Sequence, residues 1–142
     1  MNVDNFKQRL ISETGKKGLS WREYDGYDGQ GSNIYTTIGL PNFPKCMLDV
    51  YLDSNTLKVI VQLDYVSNSS DTLKLMNDFN AHCPFLKAYT SPAKNGVIMN
   101  VCSNVISVKD EDAGVASFFA ILDNLFSDGV QTYLRPLTIL AK

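Results

Sequence analysis

The side chains that do most protein chemistry are scarce in this sequence. It has one histidine, His82, and three cysteines, Cys46, Cys83 and Cys102, among 142 residues. An odd cysteine count with no short pair spacing argues against a disulfide framework and a zinc ribbon. No apolar run approaches the roughly 18 residues of a membrane helix. The first residues, Met1 to Lys7, are polar and lack the apolar stretch of a signal peptide. A cytoplasmic location with no membrane partner is therefore expected. Asn68-Ser69-Ser70 matches a glycosylation acceptor, which has no meaning without secretion. There is no long run of charge either: Lys109-Asp110-Glu111-Asp112 is too short to be an interaction tail. A net charge of −2 argues against nucleic acid as the main partner.

What is present is an ordinary globular composition, 44% hydrophobic and 20% charged, which disfavours disorder. The length suits a single domain spanning residues 1–142 with one core. Val3, Phe6, Leu10 and Ile11 form one stripe and predict a helix from about residue 3 to about 15. Asn2 or Asp4 caps it, and Gly15 and Gly18 stop it. A short strand follows at Ser20 to Tyr24. Asp25 to Asn33 holds three glycines among polar residues and reads as a loop.

Ile34 to Leu40 is strand-like. Cys46, Leu48, Val50 and Leu52 then alternate with Met47, Asp49 and Tyr51. After the turn Asp53-Ser54-Asn55, Leu57, Val59, Val61, Leu63 and Tyr65 alternate with Lys58, Ile60, Gln62 and Asp64. These two runs predict a hairpin with one buried face. Ser69 or Ser70 opens a second helix with Leu73, Met76 and Phe79 inward, ended by Pro84. Phe85 to Ser91 and Val97 to Val108 form a second hairpin around Asn95-Gly96. Val115, Phe118, Phe119, Leu122, Leu125 and Phe126 mark a third helix, with acids in its first turn and Gly129 as its stop. The tail, residues 130–142, is apolar and contains Pro136; it is a kinked helix or an extended segment. The expected class is α+β: a single antiparallel sheet, order α-ββββ-α-ββ-α plus a C-terminal tail, with helices packed on one face.

Part of this pattern resembles a known family. The helix ending Leu75-Met76-Asn77-Asp78-Phe79-Asn80, then Cys83-Pro84-Phe85-Leu86-Lys87-Ala88, the turn at Asn95-Gly96 and the helix Ala113 to Phe126 are similar to the YbjN-like family and the type III secretion chaperone-like fold. The resemblance covers residues 57–127 by pattern and residues 1–56 by element order. Proteins of that fold are known mainly as dimeric chaperones, adaptors or regulators. The resemblance thus implies a protein partner, a homodimer and no catalytic residues or cofactor. An extra strand with the glycine loop, and the apolar tail, depart from it.

Four candidate sites remain. Residues 25–33 could hold a small molecule or nucleotide, with Tyr24, Tyr27 and Asp28 as loop contacts and Trp21 beside them. The EF-hand pattern fails there, because Thr36 stands where the closing glutamate belongs. Gly29-Gln30-Gly31 lacks the third glycine of a dinucleotide fingerprint. A flexible loop or a partner contact is the plainer reading. Cys83 with His82 could be a thiol nucleophile and base, but adjacent helix-end side chains diverge and packed thiols are commoner. Asp49 and Asp64 could pair as acid and base, against solvated charges. The outer face of the first hairpin carries Met47, Tyr51, Ile60 and Val66, which is apolar for a solvated surface. It is either a partner or homodimer interface, or is covered by the N-terminal segment or the tail. The favoured function is a non-enzymatic protein-binding module: a chaperone, adaptor, regulator or inhibitor. A sensor built on the loop and a thiol enzyme are the alternatives.

Overall fold

The computed structural model describes residues 2–23, 32–41, 43–66, 69–94 and 96–140, without the side chains at 43, 44, 64 and 65. The elements are α1 (Val3–Gly15), β1 (Arg22–Glu23), β2 (Ser32–Leu40), β3 (Phe43–Leu52), β4 (Thr56–Val66), α2 (Ser70–His82), β5 (Leu86–Ala93), β6 (Gly96–Ser103), β7 (Ile106–Ser107), α3 (Glu111–Leu125) and α4 (Asp128–Leu140). Three helices begin on short polar caps. The side chains of Asn2, Ser69 and Asp110 accept from the backbone N–H of Asn5, Thr72 and Ala113 at 3.0, 3.3 and 2.8 Å. Each satisfies a donor that the helix itself leaves unpaired.

All strand pairs are antiparallel, in the order β1-β2-β3-β4-β6-β5. The strand expected over Val97 to Val108 is interrupted at Asn104 and Val105. Both of its parts, β6 and β7, lie along β4. At the break the Ser103 hydroxyl accepts from the Val59 N–H at 2.9 Å, standing in for the missing backbone partner.

The inner face of the sheet sets Leu48 against Val61, Val50 against Val59 and Leu52 against Leu57. Phe6 and Leu10 of α1, Phe79 of α2, Phe118 and Leu125 of α3, and Leu134 and Leu137 of α4 close over it in one cluster. The α+β sheet with its helices gathered on this inner core is therefore as the sequence pattern predicts.

Several local expectations are corrected. Gln62 pairs with Asn100, but Tyr65 pairs with Ile98, so β4 takes three steps where β6 takes two. This bulge inverts the alternation. Val66, expected on the outer face, instead pairs with Val97, is only 6% exposed and joins the core. Leu73 is 58% exposed, because Thr72 and Phe79 set the buried face of α2. Gly129 does not stop α3, which ends at Leu125. Ser127 caps the next helix, its hydroxyl accepting from the Val130 N–H, so Gly129 falls in the first turn of α4. Phe126 turns outward at 43% exposure. The tail is a helix through Pro136 and packs on α2, where the Tyr133 and His82 rings stack with centroids 4.2 Å apart.

Candidate functional site

The other face of the sheet carries the site residues named from sequence. Strand pairing arranges its side chains in rows. One row runs Arg22, Tyr35, Asp49, Ile60, Cys102, Lys87 across six strands. The next runs Thr37, Met47, Gln62, Asn100, Tyr89. A third, shorter row holds Asn33, Tyr51 and Lys58. Met47 and Tyr51 thus flank Asp49 on the same strand, with Ile60 beside it. The structure brings Met47, Tyr51 and Ile60 together, and removes Val66 from the group.

None of the three belongs to the inner core or packs against it. The buried side chains of α1 and α4 point into that core instead. Among the described residues, the buried side chains of α1 and α4 thus do not lie over the outer face. Met47, Tyr51, Ile60, Tyr35, Tyr89 and Ile98 are each half-buried among their neighbours. Sequence reading missed Tyr35, Tyr89 and Ile98. Their own alternation along β2, β5 and β6 was the available signal, but assigning them to this face needs the strand order.

Asp49 is only 8% exposed and so is not the solvated charge expected. Its cross-strand neighbours are Tyr35 and Ile60. Asp49 pairs with Ile60, four positions along β4 from Asp64, whose side chain lies outside the described residues. Tyr89 feels this centre. Burial raises its phenol above the ordinary range, and Cys102, Tyr51 and Asp49 add to the rise. Burial likewise raises the Cys102 thiol, while Lys58 and Lys87 pull it down.

The thiols are not arranged for nucleophilic work. All three are free and buried. The Cys46 Sγ donates to the Ile38 carbonyl at 3.4 Å, and burial pushes its pKa to about 12. Burial also raises the Cys83 thiol. The His82 ring lies on Tyr133, with Nδ1 at 2.8 Å from the Asp78 carbonyl oxygen. That ring is engaged away from a base's role beside Cys83. In the folded protein at about pH 8, a disulfide reagent should label the thiols at least ~100-fold more slowly than in the unfolded chain. Cys83→Ser should leave that profile unchanged; fast labelling that disappears with Cys83 would restore the thiol-enzyme reading.

Tyr24, Tyr27 and Asp28, with residues 25–31 of the glycine loop, lie outside the described residues; Ser32 and Asn33 open β2. Sequence periodicity also missed a hollow of about 410 Å³ between α3 and the starts of β5 and β7, walled by Leu86, Ile106 and Ile121. Phe85 stands at its edge and is largely exposed. Among the described residues, no helix is long and apolar enough to cross a membrane.

No protein-family model and no curated protein matches the chain. Among solved structures it matches the crystal structure of YbjN, a candidate transcription regulator from E. coli, with a TM-score of 0.61. The identity is 15%, and the match covers 96% of this chain and 94% of that one. The chain therefore has the YbjN-like fold that its second half resembles. The likeness also extends over the first half and the tail, where the pattern alone had suggested departures.

Proposed function

We propose that this chain is a non-enzymatic protein-binding module, a chaperone, adaptor, regulator or inhibitor, that engages its partner through the helix-free face of the sheet. The observation carrying this reading is the placement of Met47, Tyr51 and Ile60. They sit in adjacent rows, half-buried, and none contributes to the core. Aromatic and apolar side chains at the centre of a patch with polar surroundings are the composition of a protein interface. The fold likeness to YbjN supports a regulatory rather than a catalytic role, as an analogy of fold.

Changing Tyr51→Lys together with Ile60→Lys tests the reading. Neither side chain supports the core, so the melting temperature should move little. Affinity for a captured partner should fall by about 2–4 kcal/mol, or roughly 30- to 1,000-fold. Native mass spectrometry of the tagged chain from its own host reads partner and self-association together. A second copy on this face would be seen as a dimer in the wild type and a monomer in the variant. Retention of both partner and oligomeric state by the variant would remove this face from the interface.

A further inference from the structure

Charge is distributed unevenly between the two sides of the molecule. The four helices carry eight acidic side chains (Asp4, Glu13, Asp71, Asp78, Glu111, Asp112, Asp123 and Asp128) against four basic ones (Lys7, Arg9, Lys74 and Arg135). Among the described side chains, the outer sheet face has the opposite sign. Arg22 and Lys87 end the row that crosses the whole sheet, about 24 Å apart at the usual strand spacing. Lys58 pairs directly with Tyr51. Lys45 shares a hollow with Arg22 and Tyr35 on one side and with Met47 and Ile98 on the other. Among the described side chains the acid on this face is Asp49, and it is buried.

Three of the basic residues elsewhere are already engaged in ion pairs. Lys7 and Arg9 on α1 hold Glu23 and Asp112, and Lys16 holds Glu13. Arg22, Lys45, Lys58 and Lys87 have no ion-pair partner among the described residues. In its described side chains the face is thus an apolar and aromatic centre inside a cationic rim, on a chain whose net charge is −2.

We infer that this face receives an acidic segment of a partner protein, carboxylates meeting Arg22, Lys45, Lys58 and Lys87 while apolar side chains seat on Met47, Tyr51 and Ile60. This rests on the protein-binding reading above and names the partner's chemistry. Two other occupants fit less well. A second copy placed face to face by a two-fold axis would set the four cations against their own images. A nucleic acid would satisfy the rim and could stack on the tyrosines. It has few aliphatic groups to desolvate Met47, Ile60 and Ile98. A peptide carrying both carboxylates and apolar side chains meets every part of the patch.

The test is fluorescence anisotropy on the full chain at low salt, with a labelled copolymer of glutamate and tyrosine as probe. Poly-glutamate and an oligothymidylate serve as competitors. The wild type should bind the copolymer, weakening as salt rises. Lys58→Glu with Lys87→Glu should lose about tenfold or more. Arg22→Glu with Lys45→Glu, both at exposed positions, repeats the test independently of any folding defect in the first pair. Poly-glutamate should compete weakly, because it lacks the apolar component. Binding unchanged in both charge-reversed pairs would overturn the inference. So would an oligothymidylate that displaces the copolymer at equal or lower concentration, which would favour nucleic acid. Self-association that the copolymer cannot displace, and that Tyr51→Lys with Ile60→Lys abolishes, would overturn it in favour of a second copy. If the copolymer does not bind but that centre variant still loses its host partner, the acidic chemistry fails and the protein-binding reading stands. If the centre variant keeps its partner, both fail.

Discussion

Replacing Gly114 by alanine should destabilise the fold by about 2 kcal/mol and lower the melting temperature by roughly 6–8 °C. In an isolated helix the same change would stabilise by about 1 kcal/mol, because alanine has the higher helix propensity. The opposite sign is expected because α1 crosses α3 at this residue. A Cβ at Gly114 would run into the Phe6 ring. That ring is fully buried and has no solvent to move into. The crossing is fixed from outside by the ion pair of Arg9 with Asp112, and inside by Phe6 and Phe118 in one core. The clash is then relieved only by shifting α1 or by forcing the ring off its rotamer, each costing about 1–3 kcal/mol.

A double-mutant cycle separates this account from a general weakness of α3. Phe6→Leu alone leaves space over Gly114 and should cost about 1–1.5 kcal/mol. Combined with Gly114→Ala it should cost clearly less than the sum of the single changes, because the added methyl fills the space the ring left. Strict additivity in urea denaturation, or a Gly114→Ala variant that melts above the wild type, would mean that the helices do not meet this closely in solution.

That contact shows what the sequence displays and what it conceals. The apolar repeat of Val115, Phe118 and Leu125 marks α3 unaided, since three- and four-residue spacing needs no knowledge of the neighbour. Leu48, Val50 and Leu52 against Leu57, Val59 and Val61 mark a hairpin in the same way, and strict alternation then places Met47, Tyr51 and Ile60 on the opposite face. Gly114 has no such signal. Its meaning depends on which helix crosses it, a tertiary relation that no local period encodes. Val66 fails for a related reason: a bulge adds one residue, and every side chain beyond it changes face, without any proline or glycine at the site to announce it. The end of α3 is ambiguous in the sequence because Gly129 is a good stop, yet Ser127, two residues earlier, is a good start. The cap prevails because Leu134 and Leu137 must be buried and α2 offers the surface. The rows of the outer face were legible strand by strand. Their cationic ends were not, because Arg22 and Lys87 become the two ends of one row only through a strand order in which β6 lies between β4 and β5.

The edge strand supports the second large expectation. β5 is the outermost strand on its side, so one of its backbone edges has no neighbouring strand. Asn80 near the end of α2 fills that place at one residue. Its Oδ1 accepts from the Ala88 N–H at 2.7 Å, and its Nδ2 donates to the Ala88 carbonyl at 3.1 Å. A side-chain amide thereby imitates the backbone of a missing strand, at a residue that is itself buried. Asn80→Ala removes both partners, and because Asn80 is itself exposed water replaces them in part, so the change should cost about 1–2 kcal/mol. The same change uncovers the edge, so the variant should also aggregate on mild heating at concentrations where the wild type stays dispersed.

Asn80→Asp distinguishes the two bonds. The carboxylate keeps an acceptor for the N–H but turns a second oxygen toward the Ala88 carbonyl, where the amide had a donor. Protonation restores that donor, so the folded state should raise the carboxyl pKa above the unfolded value of about 3.9. A raised folded pKa contributes stability that is present below the unfolded pKa and is lost as pH rises through the folded one. Relative to the wild type, the Asn80→Asp chain should therefore be closer in stability at about pH 4 than at about pH 7. Comparing the two chains by urea denaturation at both values cancels the titrations they share. A gap that is instead wider at about pH 4 than at about pH 7 would mean that the bond from the Ala88 N–H, which favours the carboxylate, outweighs the lost Nδ2 donor and is what ties α2 to the edge of the sheet.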